Sequence, residues 1–175
     1  MNKRLKIYFF IFLIPIISCN INSKNEFTSR LHTPAEKIDW YKKLGPTTKE
    51  KHFNDFEAID WENDYWDQFN TGQENNTFLE VMDEKNNTFI DVSTFPYEDN
   101  TFQFAIYVGS RTIKDNKNEV IQQGYVRCYL LGSNDKQKVK DLISLLFERD
   151  YQTLFKKIDK LNCIFETESL YQNIN

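Results

Sequence analysis

Hydrophobic side chains change their spacing part-way along this 175-residue chain. From residue 77 apolar and polar positions alternate, most clearly in residues 101–108, where one face carries Phe102, Phe104, Ile106 and Val108. Alternation with a period of two is typical of a strand that is buried on one side. The pattern also predicts strands at residues 77–82, near 90–93 and at 120–131. Turn-forming residues separate these strands, and short connections make neighbouring strands antiparallel.

Helical patterns lie on both sides of this region. Thr33-Pro34-Ala35-Glu36 has the order of a capping box and predicts a helix that ends at Gly45-Pro46. Thr47 and Glu50 have the same spacing and predict the start of a second helix. Residues 60–69 favour a helix, and a strand through residues 57–61 is the alternative.

Two further helices are predicted after the strands. Ser133 and Asp150 are suited to cap them. Apolar residues with helical spacing follow at Val139, Leu142, Ile143, Leu146, Tyr151, Leu154, Phe155, Ile158 and Leu161. The sequence therefore predicts an α+β fold, in which a four-stranded antiparallel meander is covered on one face by helices that precede and follow it.

The N-terminus has a different organisation from the rest of the chain. Three basic residues at positions 3, 4 and 6 precede an uncharged apolar run from Ile7 to Ile17, and Ser18 and Cys19 follow it. This order of basic, apolar and small residues is the layout of an export signal. The run is too short for a membrane-spanning helix, which needs about 20 apolar residues. Plain secretion is the other alternative, but Ile16 is bulky where a small residue is expected.

The same segment resembles the signal of bacterial lipoproteins, with an aliphatic Ile16 and a small Ser18 in front of Cys19. The resemblance covers residues 1–19 and implies that residues 1–18 are a signal peptide, removed when Cys19 is acylated with chains such as palmitate. We therefore expect a lipid-anchored protein of the cell envelope. It faces the periplasm rather than the cell surface, because no acidic run follows Cys19. Residues 19–30 are predicted to be a flexible tether, and residues 31–175 a single α+β domain.

Charge limits the partners of the mature chain. Removing residues 1–18 leaves 157 residues with 19 basic and 26 acidic side chains, a net charge of −7. Phosphate binding needs a basic footprint, so nucleic acid is not expected as a partner. Broad adhesion to an anionic lipid surface is not expected either. A basic protein partner fits this charge, although solubility explains it equally well.

Acidic and aromatic residues are densest between Asp55 and Phe69. Asp60, Glu62 and Asp64 alternate as in a calcium-binding EF-hand loop, but Tyr65 and Thr71 replace the glycine and the closing glutamate of that loop. Paired carboxylates for glycan hydrolysis are a second interpretation. A third is recognition of a basic partner through Trp61, Asp64, Tyr65 and Trp66. The alternative to all three is that the aromatic side chains pack on the sheet and the acids face solvent.

Motifs for nucleophilic, metal or phosphate chemistry are missing from the sequence. His32 and His52 are the only histidines, and there is no HExxH, G-x-S-x-G, GxGxxG or P-loop pattern. No catalytic residue, metal site or cofactor is therefore assigned. Tyr125, Arg127 and Tyr129 could form a stacked ligand surface on the last strand, or lie under a helix with the arginine paired to an acid.

Two cysteines remain after Cys19. Cys128 and Cys163 could form a disulfide in an oxidising envelope compartment, or each could be a small buried side chain.

These observations favour a non-enzymatic binding module, held at a membrane by lipid on Cys19. An immunity-type protein that neutralises a toxin is a specific version of this hypothesis. The alternative is an envelope glycan hydrolase that uses paired carboxylates between residues 55 and 67. A structural component of the envelope is a third class.

Overall fold

Strands are the commonest element of the structure, a computed structural model that describes residues 26–34, 41–71, 76–98, 101–110, 112–116 and 119–171. In these ranges the strands are β1 (Phe27–His32), β2 (Lys42–Pro46), β3 (Phe78–Asp83), β4 (Thr88–Tyr97), β5 (Thr101–Ser110), β6 (Thr112–Asn116), β7 (Glu119–Leu130) and β8 (Asn162–Tyr171). The helices are α1 (Lys49–Glu57), α2 (Trp61–Thr71), α3 (Lys136–Phe147) and α4 (Tyr151–Ile158). Within the part described, no helix has the length and apolar character that crossing a bilayer requires.

All the strands belong to one antiparallel sheet in the order β2-β1-β3-β4-β5-β7, and β7 also pairs with β6 and β8. β5 and β6 lie one after the other along the same edge of β7. Gly109 pairs with Val126 and Thr112 with Gln123, so the register does not change between them. The sheet is therefore seven strands wide, with β2 and β8 at its edges.

The predicted four-stranded meander is wrong, although the mixed α and β class is correct. β3, β4, β5 and β7 are adjacent as expected, but β1 and β2 extend the sheet on one side and β8 on the other. Phe27 to Arg30, which were expected in the tether, form most of β1 and pair with β3. These outer strands lie at or near the margins of the sheet, where side chains are less completely buried. They therefore carry mixed polar and apolar residues.

The first predicted helix is corrected in its second half. Lys42–Pro46 is a strand paired with β1, and Gly45 has a positive φ of 82° there. Residues 35–40 of the predicted helix lie outside the described residues. A capping-box pattern indicates where a helix could begin. It could not show that the backbone groups of this segment are hydrogen-bonded to β1 rather than within a helix.

The other four predicted helices are confirmed, with small changes at their caps. Thr48 caps α1 by accepting from the Lys51 amide, where Thr47 was predicted. Asp135 caps α3 in place of Ser133, and Asp150 caps α4 as predicted. Each side-chain oxygen satisfies a backbone amide that the helix itself leaves unpaired.

All four helices pack against one face of the sheet. The core there includes Phe56 of α1, Trp61 of α2, Ile143 of α3 and Leu154 of α4, all at most 1% exposed. The strands contribute alternate residues, as the period of two predicted: Leu79, Val81, Ile90, Val92, Phe104, Ile106 and Val108.

The opposite face of the sheet is also buried at its centre, where polar side chains lie beside a small apolar cluster of Met82, Phe89 and Val126. A cross-strand row joins Arg30, Glu80, Asp91, Tyr107 and Cys128 on five adjacent strands. Glu80, Asp91 and Cys128 are buried. Burying polar groups costs free energy unless they are paired, so this row is a site where packing alone does not explain the sequence.

Candidate functional site

The predicted partner-binding residues divide into two buried side chains and two that reach the surface. Trp61 is 1% exposed and Tyr65 is 6% exposed, so both belong to the core. Asp64 and Trp66 are half-buried on α2. One turn further on, Phe69 is 60% exposed and is the most exposed of the large apolar side chains described. A partner could therefore contact α2 mainly through Trp66 and Phe69.

A chain of aromatic rings connects the core to this surface. Trp61 packs edge-on against Phe104 with ring centroids 5.6 Å apart, and Tyr65 lies 5.7 Å from Phe102. Tyr65 in turn stacks on Phe69 at 6.2 Å, and Trp66 contacts Phe69 at 5.7 Å. Aromatic pairs at such distances add to the stability gained by burial. The exposed ring of Phe69 is therefore held against two neighbours rather than free in solvent.

A groove of about 150 Å³ lies beside Phe69, between α2 and the end of β4. Its lining combines apolar and neutral polar side chains: Tyr65, Gln68, Phe69, Asn76, Thr94 and Pro96. The Thr94 side chain is 2% exposed, and its Oγ1 atom has no hydrogen-bond partner. Asn76 donates instead to the main-chain oxygen of Thr94 at 3.1 Å. A buried hydroxyl without a partner costs free energy, so the packing beside this groove leaves one polar group unsatisfied.

Asp64, near this groove, is held by hydrogen bonds within the chain. Its carboxylate accepts hydrogen bonds from Thr77 at 2.7 Å and from Gln68 at 2.8 Å. Burial raises the pKa of Asp64, and the Thr77 and Gln68 bonds act in the opposite direction. These bonds tie α2 to the residue before β3. Asp64 therefore helps to fix the orientation of α2.

The remaining carboxylates of α2 do not converge on a cleft. Asp60, Glu62 and Asp67 are exposed, and Asp60 accepts from the Asn63 amide at the start of α2. The groove beside them is lined by neutral side chains. Among the described residues, no group of three or more histidine, cysteine or acidic side chains could hold a metal. No observation here favours the glycan hydrolase or the calcium site.

His52 forms a pair with Ser29 that resembles part of a catalytic dyad but is fully buried. Ser29 Oγ donates to the Glu80 main-chain oxygen at 3.0 Å, so the 2.9 Å contact to His52 Nδ1 must have the histidine as donor. The Nε2 atom is then the unprotonated nitrogen, and it is buried without a hydrogen-bond partner. Burial lowers the pKa of His52 to about 4. The pair lies in the interior, where both side chains are at most 1% exposed.

Arg30 and Tyr41 contact the two buried carboxyl groups on the other face of the sheet. Glu80 Oε1 accepts from Arg30 Nε at 2.7 Å, and Tyr41 donates to Asp91 Oδ2 at 3.0 Å. Asp91 Oδ1 has no hydrogen-bond partner. Burial and the neighbouring Glu80 raise the pKa of Asp91 well above its usual value. Nothing in the sequence pattern marked this group, since Asp91 occupies a position that alternation assigns to solvent.

Cys128 and Cys163 are free thiols in the structure, on the adjacent strands β7 and β8. Cys128 pairs with Phe165, and a register shift then places Cys163 opposite Tyr129. Cys128 is buried and Cys163 is exposed. Burial raises the pKa of Cys128 to about 11, which makes its thiol unreactive.

The possible ligand surface on β7 is occupied by contacts within the chain. Arg127 pairs with Glu166 at 2.8 Å, and Tyr129 is buried in the helix-facing core. The pairing with an acid is that of the alternative, but Arg127 also lies over the Tyr125 ring, 5.5 Å from its centroid, and Tyr125 is partly exposed. Residues 1–25, including Cys19, lie outside the described residues.

Comparisons with protein-family models, with curated proteins and with solved structures found no match to this chain. The functional argument therefore depends on the chemistry of its surfaces. Sequence reasoning included Phe69 in the aromatic segment but did not identify Thr94 or Pro96. No local signal pointed to these residues, because their position beside α2 follows from the packing of β4.

Proposed function

We propose that this chain is a lipid-anchored envelope protein that binds a basic protein partner and has no catalytic activity. The binding surface would be the aromatic end of α2 with the adjacent groove, which we call the Phe69 surface. It consists of Trp66, Phe69, Pro96 and the groove between α2 and β4.

The exposed but fixed ring of Phe69 is the observation that carries this proposal. Residues that dominate binding energies are commonly aromatic side chains that fill a pocket on the partner. A ring already held by Tyr65 and Trp66 loses little conformational freedom on binding, which favours affinity.

Acidic side chains around this surface favour a cationic partner. Glu62 precedes Trp66 by one helical turn, and Asp67 and Glu98 are also exposed. No basic residue occurs between Asp55 and Thr71. Rim charges of one sign speed association with a partner of the opposite sign and make it sensitive to salt.

Anchoring through Cys19 is supported by the lipoprotein-type signal in residues 1–19. The anchor would keep the Phe69 surface near the membrane, where an envelope-active toxin could be intercepted. An immunity-type role is therefore the specific form of this proposal. A basic protein encoded beside this chain is the first partner to test.

The experiment compares binding by the full-length protein and two variants. Phe69→Ala removes the exposed ring, and we expect it to weaken the partner about 10-fold or more, as hot-spot truncations do. Tyr125→Ala is the matched control, because it removes another partly exposed aromatic ring at a distant place, on β7. Affinity should fall with salt for the parent protein and for the control.

Equal affinity of Phe69→Ala and the parent for the captured partner would refute the Phe69 surface. A captured partner that is acidic, or that binds equally at low and high salt, would refute the charge argument. Palmitate labelling with a Cys19→Ala control tests the anchor separately. Labelling that persists in that variant, or is lacking in the parent, would refute acylation of Cys19.

A further inference from the structure

A second groove lies between α3, α4 and the end of β7, far from the Phe69 surface in sequence. Its volume is about 170 Å³. Leucine side chains contribute apolar surface at three places, and charged side chains line the rest: Leu131, Lys138, Asp141, Leu142, Lys157 and Leu161. The groove is therefore amphipathic, with an apolar floor and two ammonium groups.

The two lysines of this groove are available to an anionic ligand. In the described part of the chain neither Lys138 nor Lys157 forms an ion pair, and Lys138 only reaches Ser133 Oγ at 3.4 Å. Asp141, on the same groove, accepts from Gln137 instead. By contrast, Lys136 and Lys140 on α3 are both paired with Glu57.

Two more lysines extend the positive charge along α4. Lys156 and Lys160 are exposed on either side of Lys157, and no ion pair involves them among the residues described. Seven of the 19 basic residues after Ser18 fall between Lys136 and Lys160. This region therefore differs in charge from a mature chain whose net charge is −7.

The start of the described chain lies near this region. Glu26 forms an ion pair with Arg149, which follows α3, and Phe27 packs against Phe147 at the end of α3 with ring centroids 4.7 Å apart. Lys138 and Leu142 precede Phe147 on the same helix by roughly 8 to 14 Å. Cys19 is seven residues before Glu26, a span of at most about 25 Å. Acyl chains on Cys19 would thus hold this groove close to a bilayer.

We propose that the α3–α4 groove is a membrane-facing surface that binds the headgroup of an anionic phospholipid. The proposal rests on the lipid anchor of the proposed function, because the anchor brings the groove to the membrane. Lys138 and Lys157 would contact the phosphate, and the leucines would lie against the upper part of the acyl chains. The acidic remainder of the domain is repelled by the same membrane, so the two effects together orient the protein.

The experiment measures the accessibility of lysines in the full-length protein purified from membranes. The protein is placed in vesicles of phosphatidylcholine, with or without about one-third phosphatidylglycerol, and treated with a water-soluble amine reagent. We expect phosphatidylglycerol to slow modification of Lys138 and Lys157 about 5-fold, the factor given by about 1 kcal/mol per lysine at an anionic surface. Lys42 and Lys43 on β2 are exposed internal controls and should keep their rate.

Variants test whether these lysines produce the orientation. In Lys138→Gln/Lys157→Gln we expect hydrogen exchange of α3 and α4 in phosphatidylglycerol vesicles to equal that in phosphatidylcholine. In the parent protein, phosphatidylglycerol should slow hydrogen exchange of α3 and α4. The matched control Lys42→Gln/Lys43→Gln removes the same charge and should retain this protection. Protection that survives in Lys138→Gln/Lys157→Gln, or equal modification rates in the two vesicles, would overturn the proposal.

The same samples separate this proposal from the proposed function. A mass spectrum gives the acyl state of Cys19, and the Phe69→Ala variant gives the partner surface. An acylated protein with unprotected lysines overturns only the membrane-facing groove. An unacylated protein whose lysines phosphatidylglycerol still protects overturns the anchor and leaves the groove supported.

Discussion

Glu80 on β3 and Asp91 on β4 are directly paired across the two strands, and both carboxyl groups are buried. Two negative charges at such a position would repel each other strongly. Arg30 contacts Glu80 through both Nε and Nη2, whereas the side-chain donor to Asp91 is the neutral Tyr41 hydroxyl. Burial raises the pKa of both carboxyl groups, and that of Asp91 lies well above its usual value, whereas the close Arg30 guanidinium favours the charged form of Glu80.

Replacing Asp91 with Asn should change stability in a way that depends on pH. A raised pKa in the folded state means that Asp91 contributes stability at low pH and loses it as pH rises through the folded pKa. At a pH below the folded-state pKa of Asp91, we expect Asp91→Asn to be within about 1 kcal/mol of the parent, since Asn keeps the shape without the charge. As pH rises through the folded-state pKa of Asp91, the variant should gain stability relative to the parent in urea unfolding. Lower stability than the parent at every pH would contradict this assignment.

Removing Arg30 should have a larger effect. Arg30→Met leaves the buried Glu80 carboxylate without its cation, and breaking such a pair costs about 3 kcal/mol. Adding Glu80→Gln should restore most of that loss in the double variant. Arg127→Met is the control, because its ion pair with Glu166 is exposed and solvent-screened and should contribute much less than the buried pair. Equal losses for the two arginine variants would argue against a buried pair.

The strands at the centre of the sheet could be predicted from the sequence, and those at its margins could not. Phe104 and Ile106 alternate with smaller residues, because one face of β5 packs on helices. β1 has a charged Arg30 on one face and a Ser29 on the other, so it shows no hydrophobic alternation. β8 begins with Asn162 directly after α4 and carries polar residues along an edge. Its place in the sheet depends on β7, which is more than 30 residues away in sequence.

Only part of the candidate site could be predicted from the sequence, again because a sequence pattern does not show which elements pack against each other. Helical spacing indicated that Trp61, Tyr65 and Phe69 share one side of α2, and it could not show what lies against that side. The sheet covers the first two rings and ends before the third. Asp91 illustrates the opposite error. Alternation assigned it to solvent, but the central strands of this sheet are buried on both faces.

His52 should make the protein less stable in weak acid. Its pKa is about 4 in the folded state and about 6.5 when unfolded, so the unfolded chain binds the extra proton between these values. Stability is therefore fully present above pH 6.5 and lost as pH falls toward 4, by on the order of 3 kcal/mol. Urea unfolding at half-unit pH steps measures this. A His52→Leu variant should have a smaller slope in this window, and an unchanged slope would exclude His52 as the cause.

The Asp83 carboxylate should stabilise the contact between the β3–β4 turn and the helices through its hydrogen bonds. Its buried carboxylate accepts from Arg149 at 2.8 Å, from Asn86 at 2.8 Å and from the Tyr151 hydroxyl at 2.5 Å. These bonds hold the pKa of Asp83 well below its usual range, despite burial, so its contribution is present above pH 4 and lost only in stronger acid. We expect Asp83→Asn to lose about 3 kcal/mol at pH 7, because three donors then face a neutral amide.

Asp135→Asn provides the comparison for that measurement. Asp135 is an exposed helix cap, and Asn serves equally well in this position, so its loss should be below about 0.5 kcal/mol. A loss in Asp83→Asn no greater than in Asp135→Asn would show that the bonds to Arg149 and Tyr151 contribute little.

The two cysteines of the domain should react at very different rates with a water-soluble thiol reagent. Cys163 is exposed and should react within the mixing time, whereas Cys128 is buried, with a pKa raised to about 11, and should react only when the protein unfolds. Cys163→Ser should remove the fast phase and leave the slow one. If protein isolated from the envelope without reductant shows neither thiol even in denaturant, the two are joined, and the adjacent strands β7 and β8 are bridged in the cell. One fast and one slow thiol would instead mean that the pairing of β7 with β8 is maintained by hydrogen bonds and packing alone.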